Sequence, residues 1–351
     1  MRIEDPKSFL RNYAGPPLRL MEVCGTHTAE ISRCGLPSLL PQSIQLISGP
    51  GCPVCVTVSA YIDRLIALAH TPDTTVLTFG DLMRVPGPAG SLAGAKAAGG
   101  RVEMVYSPLD ALQLAQENPR HTYIFAAVGF ETTAPVYARL LDRAAQEGLQ
   151  NLKLLTALKT MPAAIRWLCQ NGPGANGFLA PGHVAVITGA RVFRQLAGEL
   201  GVPFVIAGFT PKGLLSAVAA LAALAGQPVC ENCYPAAVAE EGNPAAQQAV
   251  NRWFMPCDSA WRGMGVIPAS GLCLRPEHAV FNAGGAQLTE DAALNSACRC
   301  AEVLTGRLSP AQCPLFGKAC MPLSPQGACM VSTEGSCYHH YINHRNEVPT
   351  L

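Results

Sequence analysis

Cysteine and histidine, the side chains that bind soft metals or exchange electrons as thiols, recur in this sequence at short spacings. MEVCGTHT places Cys24 and His27 three residues apart after an apolar run. A thiolate and an imidazole at that spacing can share one metal, or the imidazole can serve as base for the thiol. GPGCPVC sets Cys52 and Cys55 as a Cys-x-x-Cys between glycines and prolines, directly before VTVSAYIDRLIALA. Such a pair can close a local disulfide, bind a soft metal, or gain thiolate character if a helix starts beside it. A glycine-rich turn is expected to expose it, with a loop holding two incidentally buried thiols the less favoured reading. The tail carries Cys298, Cys300, Cys313, Cys320, Cys329 and Cys337. Four thiolates can hold an iron–sulfur cube or a zinc ion, which leaves two for redox chemistry. Zinc favours closely paired knuckles, whereas the closest pair here is Cys-Arg-Cys; a purely structural metal staple fits the same count.

Polar residues stand in glycine-marked loops elsewhere. GDLMRVPG offers Asp81 and Arg84, VGFETTAP offers Glu131, Thr132 and Thr133, and APGHV offers His183. They can line a cleft, although capping and turn duties account for each one taken singly. The glycines follow neither GxGxxG nor the Walker A pattern, so no nucleotide site is indicated. VCENCY adds Cys230 and Cys233, which read as surface or core thiols, with a zinc half-site the weaker option. Cys34 reads as a small packed hydrophobe, and Cys169, Cys257 and Cys273 have no partner at useful spacing.

The elements that position these residues are short apolar runs followed by helical patterns. LRLMEVCG, SIQLISG, TTVLTFG, RVEMVYS, TYIFAAVGF, LKLLTALK, GFLAPG, VAVITG and VPFVIAGF read as buried strands. Between them SAYIDRLIALAH, PLDALQLAQE and TAPVYARLLDRAAQEG read as helices. Alternation of this kind implies βαβ units and parallel sheets, with functional loops at the strands' carboxyl ends. The expected fold is α/β, with two similar parallel-sheet domains over residues 21–114 and 115–235. Beyond residue 235 the alternation fades, and residues 236–351 are expected to form a cysteine-rich, metal-stabilised third domain packed with residues 1–20, which the resemblance described below makes an iron–sulfur domain. Metal ligation would supply folding energy that this tail's thin apolar content does not.

The chain has 351 residues, 49% hydrophobic and 14% charged, with a formal net charge of +1. This composition belongs to a folded globular protein, and the absence of a basic block gives no reason to expect nucleic acid binding. The start MRIEDPKSFLRNYAG lacks a signal-like apolar segment, and LLSAVAALAALAG is too short to span a bilayer. A cytoplasmic protein without membrane insertion is expected. Fifteen cysteines in a reducing compartment point to metal or redox chemistry rather than a structural disulfide framework.

Taken together, MEVCGTHT, GPGCPVCVT, TFGDLMRVPG, YSPLDAL, VGFETTAP, PGHV, EGNP, WRGMG and the cysteine tail resemble the HypD family of nickel–iron hydrogenase maturation proteins over nearly the whole chain. The resemblance implies two α/β domains and a third that carries a [4Fe–4S] cluster. It implies a scaffold on which a transient iron carrying cyanide and carbon monoxide, the Fe(CN)2CO unit, is built. A small HypC-type chaperone shares the iron, a HypE-type protein delivers cyanide, and the product passes towards the hydrogenase large subunit. By the same resemblance Cys24 is the iron ligand, with His27 beside it, and Cys52 and Cys55 are the thiol pair for redox work or iron holding. The family's tail is similar to that of ferredoxin–thioredoxin reductase. Carried over, Cys298, Cys313, Cys320 and Cys337 are cluster ligands and Cys300 and Cys329 the adjacent redox pair. A standalone cluster-linked protein-disulfide reductase and a zinc-stabilised interaction protein are the competing readings. The sequence departs from the family pattern at Thr26, Ala29 and Thr210, where a glycine, a histidine and an acidic residue are usual, and Cys230 and Cys233 are additions. The bulk of Thr26 is expected to alter the loop.

Overall fold

The computed structural model describes residues 3–343, which form two β-sheets flanked by helices. The strands are β1 (Leu18–Glu22), β2 (Ile44–Ser48), β3 (Thr74–Thr78), β4 (Val102–Met104), β5 (Thr122–Gly129), β6 (Leu152–Lys159), β7 (Gly177–Pro181), β8 (Phe204–Ala207), β9 (Cys230–Asn232), β10 (Phe254–Trp261) and β11 (Gly265–Leu274). One sheet has the order β2-β1-β7-β8-β9, and all its pairings are parallel. The other has the order β10-β11-β6-β5-β3-β4, parallel from β6 to β4 and closed on one side by the antiparallel β10–β11 hairpin. β5 is buried at every residue after its first, as a strand covered by helices on both faces requires.

The sheets do not divide the chain into consecutive thirds. A boundary at residues 114/115 would cut β3 and β4 from β5, to which β3 is paired along four residues. The hairpin β10–β11 belongs to the second sheet, so residues 254–274 are built into that sheet and not into a separate tail domain. Nor does the amino-terminal helix Pro6–Arg11 join the tail. Its Leu10 is fully buried with Leu18, Leu20 and the helix Pro211–Ala223. The VAVIT of VAVITG is helical, within Gly182–Thr188, and its glycine is the C-cap. Its run of apolar β-branched residues suits a buried helix as well as a strand, and periodicity cannot separate the two over so short a length.

Helices fall where the apolar spacing places them, at Ser59–Ala69, Asp110–Glu117 and Ala134–Gln146. The alanine-rich segment is the helix Pro211–Ala223, N-capped by Thr210, whose Oγ1 accepts the Gly213 N–H at 3.1 Å. Among the described residues no helix is long and apolar enough to cross a membrane. The tail is mostly turns, with short helices at Cys300–Leu304 and Ser336–Asn343. One core runs without a break from β7 through Cys52, Cys55 and Tyr61 to Trp261 and the tail's Cys300, Cys329 and Cys337. That continuity fastens the tail to the sheets.

Candidate functional site

In each sheet the chain leaves one central strand for neighbours on opposite sides, which opens a crevice at the strands' carboxyl ends. In the first sheet this happens at β1, between β2 and β7; in the second it happens at β3, between β4 and β5. The two crevices face one cleft with a volume of about 230 Å³. Its walls are Cys24 and Thr26 after β1, His183 after β7, Asp81 after β3, and Thr132 and Thr133 after β5. Gly51, Pro53 and Val54 of GPGCPVC complete it, with Glu334 from the tail.

Cys24 is the N-cap residue of the helix Gly25–Arg33. Its own N–H donates to Glu22 Oε2 at 3.0 Å, and Thr28 Oγ1 donates to the other oxygen of that carboxyl at 2.5 Å. Burial pushes the Cys24 thiol up to about 12, against the lowering influence of the His27 and Thr26 amides at the helix start. Without a metal the thiol is therefore protonated at neutral pH. The GPG turn lies directly against it. Gly25 N–H donates to Gly51 O at 2.9 Å, and a Cβ on Gly51 would stand 2.3 Å from Cys24 N. Only glycine permits that approach.

His27 points elsewhere. Its Nε2 donates to the Ala207 and Gly208 carbonyls at 3.2 and 3.1 Å, which fixes the tautomer and leaves the buried Nδ1 without a hydrogen-bond partner. Burial lowers its pKa to about 4, so the ring is neutral. The ring of Phe209 stands between the two histidines, 5.0 Å from His27 and stacked at 3.9 Å on His183. The pairing of His27 as base with the Cys24 thiol is thus absent: the amide of His27 addresses the sulfur and its imidazole does not. Glu131 lies behind the cleft wall. Its Oε1 accepts the Met161 N–H at 2.8 Å, and its buried Oε2 has no partner. Arg84 faces outward and donates to Pro322 O at 3.0 Å.

Cys52 and Cys55 form a disulfide with a Cα–Cα distance of 5.2 Å. They are 3% and 0% exposed, contrary to the exposed pair expected from the glycine-rich turn. Gly51, Pro53 and Val54 line the cleft, whereas Cys52 and Cys55 do not and belong to the buried core. A bonded sulfur has no thiolate to give a metal, so in this state neither residue can hold iron.

In the tail Cys298, Cys300, Cys313, Cys320, Cys329 and Cys337 line one small pocket with Phe316, Gly327 and Met330. Cys300 Sγ donates to Cys329 Sγ at 3.0 Å. Burial pushes Cys298 and Cys320 up to about 11. Among the described residues no three His, Cys, Asp or Glu side chains are placed to hold a single metal ion.

A family model described as "HypD: Hydrogenase formation hypA family" matches residues 7–344. The chain is 43% identical to hydrogenase maturation factor HypD of Escherichia coli (strain K12), over 98% of this chain and 94% of that protein. It is 42% identical to HypD of Rhodobacter capsulatus, over 92% and 89% of the two chains. Hydrogenase expression/formation protein HupD of Azotobacter chroococcum mcd 1 is 41% identical, over 92% and 88%. The chain belongs to the HypD family.

Within this HypD chain the departures at Thr26 and Ala29 are absorbed by regular structure. Both lie inside the helix Gly25–Arg33, and the residues with positive φ do not include position 26. Thr210 has become a helix cap. Cys230 and Cys233 sit at and just past the edge strand β9, far along the sheet from Cys24. Cys257 and Cys273, unpartnered by sequence spacing, come together on β10 and β11. Burial, then the neighbouring Cys273, pushes Cys257 up to about 12. Glu334 is the cleft residue that sequence reasoning misses. Burial, then the charge of Asp81, raises its carboxyl to about 7. A lone glutamate in a cysteine-rich tail carries no signal of its own.

Proposed function

We propose that this chain is the scaffold on which the Fe(CN)2CO unit of nickel–iron hydrogenase is assembled, with Cys24 as the thiol that takes the iron. The observation that carries this reading is the position of Cys24. It is the cleft's one cysteine among the described residues, set where the crevices of two sheets meet. The iron unit is cargo. Its low-spin iron is soft and suits a thiolate, and its arrival displaces the proton that burial keeps on Cys24. Glu334, with a carboxyl near neutrality at the cleft wall, can exchange that proton. His183 and Asp81 can orient the diatomic ligands or a partner's cysteine. A small HypC-type chaperone would supply that second sulfur, and exposed Tyr106 and Leu109, which follow β4, offer it apolar surface. A HypE-type partner would deliver cyanide, and the finished unit would leave with the chaperone towards the hydrogenase large subunit.

The tail's donor set suits a [4Fe–4S] cluster. Six thiols line a common pocket; we propose Cys298, Cys313, Cys320 and Cys337 as the four ligands, with Cys300 and Cys329 left as a pair. When bound, the cluster supplies electrons one at a time. Cys52–Cys55 stores two electrons by opening its disulfide. The 3.0 Å approach of Cys300 to Cys329 also favours the second reading, a standalone cluster-linked protein-disulfide reductase.

Anaerobic co-expression with the chaperone, followed by infrared spectroscopy of the complex, separates the two. The scaffold gives cyanide and carbon monoxide stretches that vanish in Cys24→Ala; their absence from an iron-replete complex leaves the reductase. Purified protein should contain about four iron and four sulfide, and stoichiometric zinc without sulfide would remove the cluster from both readings.

A further inference from the structure

The turn between β10 and β11 reaches both thiol systems. Arg262, within it, is 6% exposed. Its backbone N–H donates to Val56 O at 2.8 Å, its Nε to Cys55 O at 3.1 Å and its Nη2 to Thr57 O at 2.7 Å. One residue therefore holds three successive carbonyls of the chain leaving the disulfide. On the other side Gly263, at φ +75°, lies against the helix that begins at Cys300, and a Cβ there would stand 2.5 Å from Ala301 Cβ. Glycine is required by both the positive φ and the contact.

The guanidinium is incompletely neutralised. Its carboxylate partner, Asp291, stands 3.2 Å away with its own side chain 23% exposed, and the same oxygen accepts the Ser59 N–H at 3.1 Å. The remaining donors face carbonyls. A buried cation with one shared counter-ion favours nearby negative charge, and its Nε lies 3.1 Å from the carbonyl oxygen of Cys55, one half of the disulfide.

We propose that Arg262 is a positioning residue that couples the Cys52–Cys55 disulfide to the tail, holding the turn of the one against the helix of the other and favouring the reduced state of Cys52–Cys55 through its charge. The inference rests on the reading of Cys52–Cys55 as a redox pair. Reduction by a dithiol proceeds by attack of one thiolate of the reductant on a sulfur of the pair. The S–S bond breaks, a mixed disulfide forms and the other cysteine leaves as thiolate. The reductant's second thiolate then closes its own disulfide and releases the first cysteine. The reductant loses two electrons, and Cys52 and Cys55 gain them with two protons. A cation beside the pair stabilises the thiolate that leaves, so it favours reduction.

The test uses the full chain, purified anaerobically, with Arg262→Met, Arg262→Lys and Asp291→Asn beside the wild type. Each is equilibrated in dithiothreitol buffers of graded oxidation, alkylated, and read by mass spectrometry at the Cys52 and Cys55 peptides. Arg262→Met should shift the equilibrium about tenfold towards the disulfide, about 30 mV more negative. Arg262→Lys, which keeps the charge, should recover most of that shift. Asp291→Asn, which removes the counter-ion, should move the potential the other way. An unmoved potential in Arg262→Met, or equal shifts in Met and Lys, overturns the proposal. If Arg262→Met does not fold, an unchanged or more negative potential in Asp291→Asn overturns it instead. None of these readouts needs the iron unit, so missing infrared bands would remove the assembly reading without touching this one. A pair that no dithiothreitol buffer reduces removes this one alone.

Discussion

Replacing Glu131 by glutamine tests whether the carboxyl behind the cleft wall is held protonated by the fold. Burial raises its pKa from 4.5 to about 7, opposed by its hydrogen bonds to backbone N–H groups. A carboxyl with a folded-state pKa above its unfolded one binds its proton more tightly when folded. Folding then carries no penalty below about pH 4.5, loses stability steadily as pH rises to about 7, and carries a constant penalty beyond. At ~1.4 kcal/mol for each pH unit of that interval the penalty reaches about 3 kcal/mol. Glutamine keeps an oxygen for the Met161 N–H and cannot ionise. Its amide has no acceptor at the Oε2 position, which adds a cost of about 1–3 kcal/mol that does not vary with pH. Melting of variant and wild type at pH 5 and pH 8 separates the two effects. The variant's melting temperature relative to wild type should rise by about 4 °C from the lower to the higher pH, given an unfolding entropy of about 2 cal/mol/K per residue. Glu22 and Glu334 are also raised to about 7 and drop out of the comparison because both proteins keep them. An offset between the two curves that is the same at every pH would refute a buried, protonated Glu131.

Gly51→Ala forces a methyl group to within 2.3 Å of Cys24 N, so the GPG turn must retreat; a stability loss of about 1–3 kcal/mol and faster alkylation of Cys24 are expected, read by denaturant midpoint and mass spectrometry. Cys55→Ser should lower stability by about 2 kcal/mol, the chain-entropy value for so short a loop, and treating wild type with reductant should reproduce the loss. Thr210→Ala removes the cap on the helix Pro211–Ala223 and should cost about 1 kcal/mol in thermal melting, while leaving any iron-unit infrared bands unchanged.

The cleft was legible because strand ends were legible. Asp81, Thr132, Thr133 and His183 each follow an apolar run that a glycine closes, Cys24 stands immediately before such a glycine, and in parallel sheets such loops collect on one side. The sheets' strand order was not legible, because it depends on pairings between segments more than a hundred residues apart, such as β1 with β7. The β10–β11 hairpin escaped notice for a different reason: Pro256, Ser259 and three glycines dilute its alternation, and a third of its strand residues are exposed. His27 shows the limit of spacing. Three residues along a helix start bring its amide to the Cys24 sulfur and carry its ring to β8. Arg262 stands in WRGMG, but its contacts to Cys55 and Thr57, like the place of Glu334 in the cleft wall, join segments far apart in sequence and have no local signal.

The interleaved sheets impose an order on synthesis. β1 and β2 leave the ribosome early, yet β1 lacks its second neighbour until β7 has been made. At ordinary elongation rates that is a wait of roughly 10–30 s. Meanwhile β3 to β6 can pair among themselves, but their outer edge stays bare until the hairpin arrives. The nascent chain therefore presents Cys24 and Cys52–Cys55 on an unfinished sheet well before the tail that covers them exists. The cleft cannot be complete until residue 334 has been made, because Glu334 forms part of its wall.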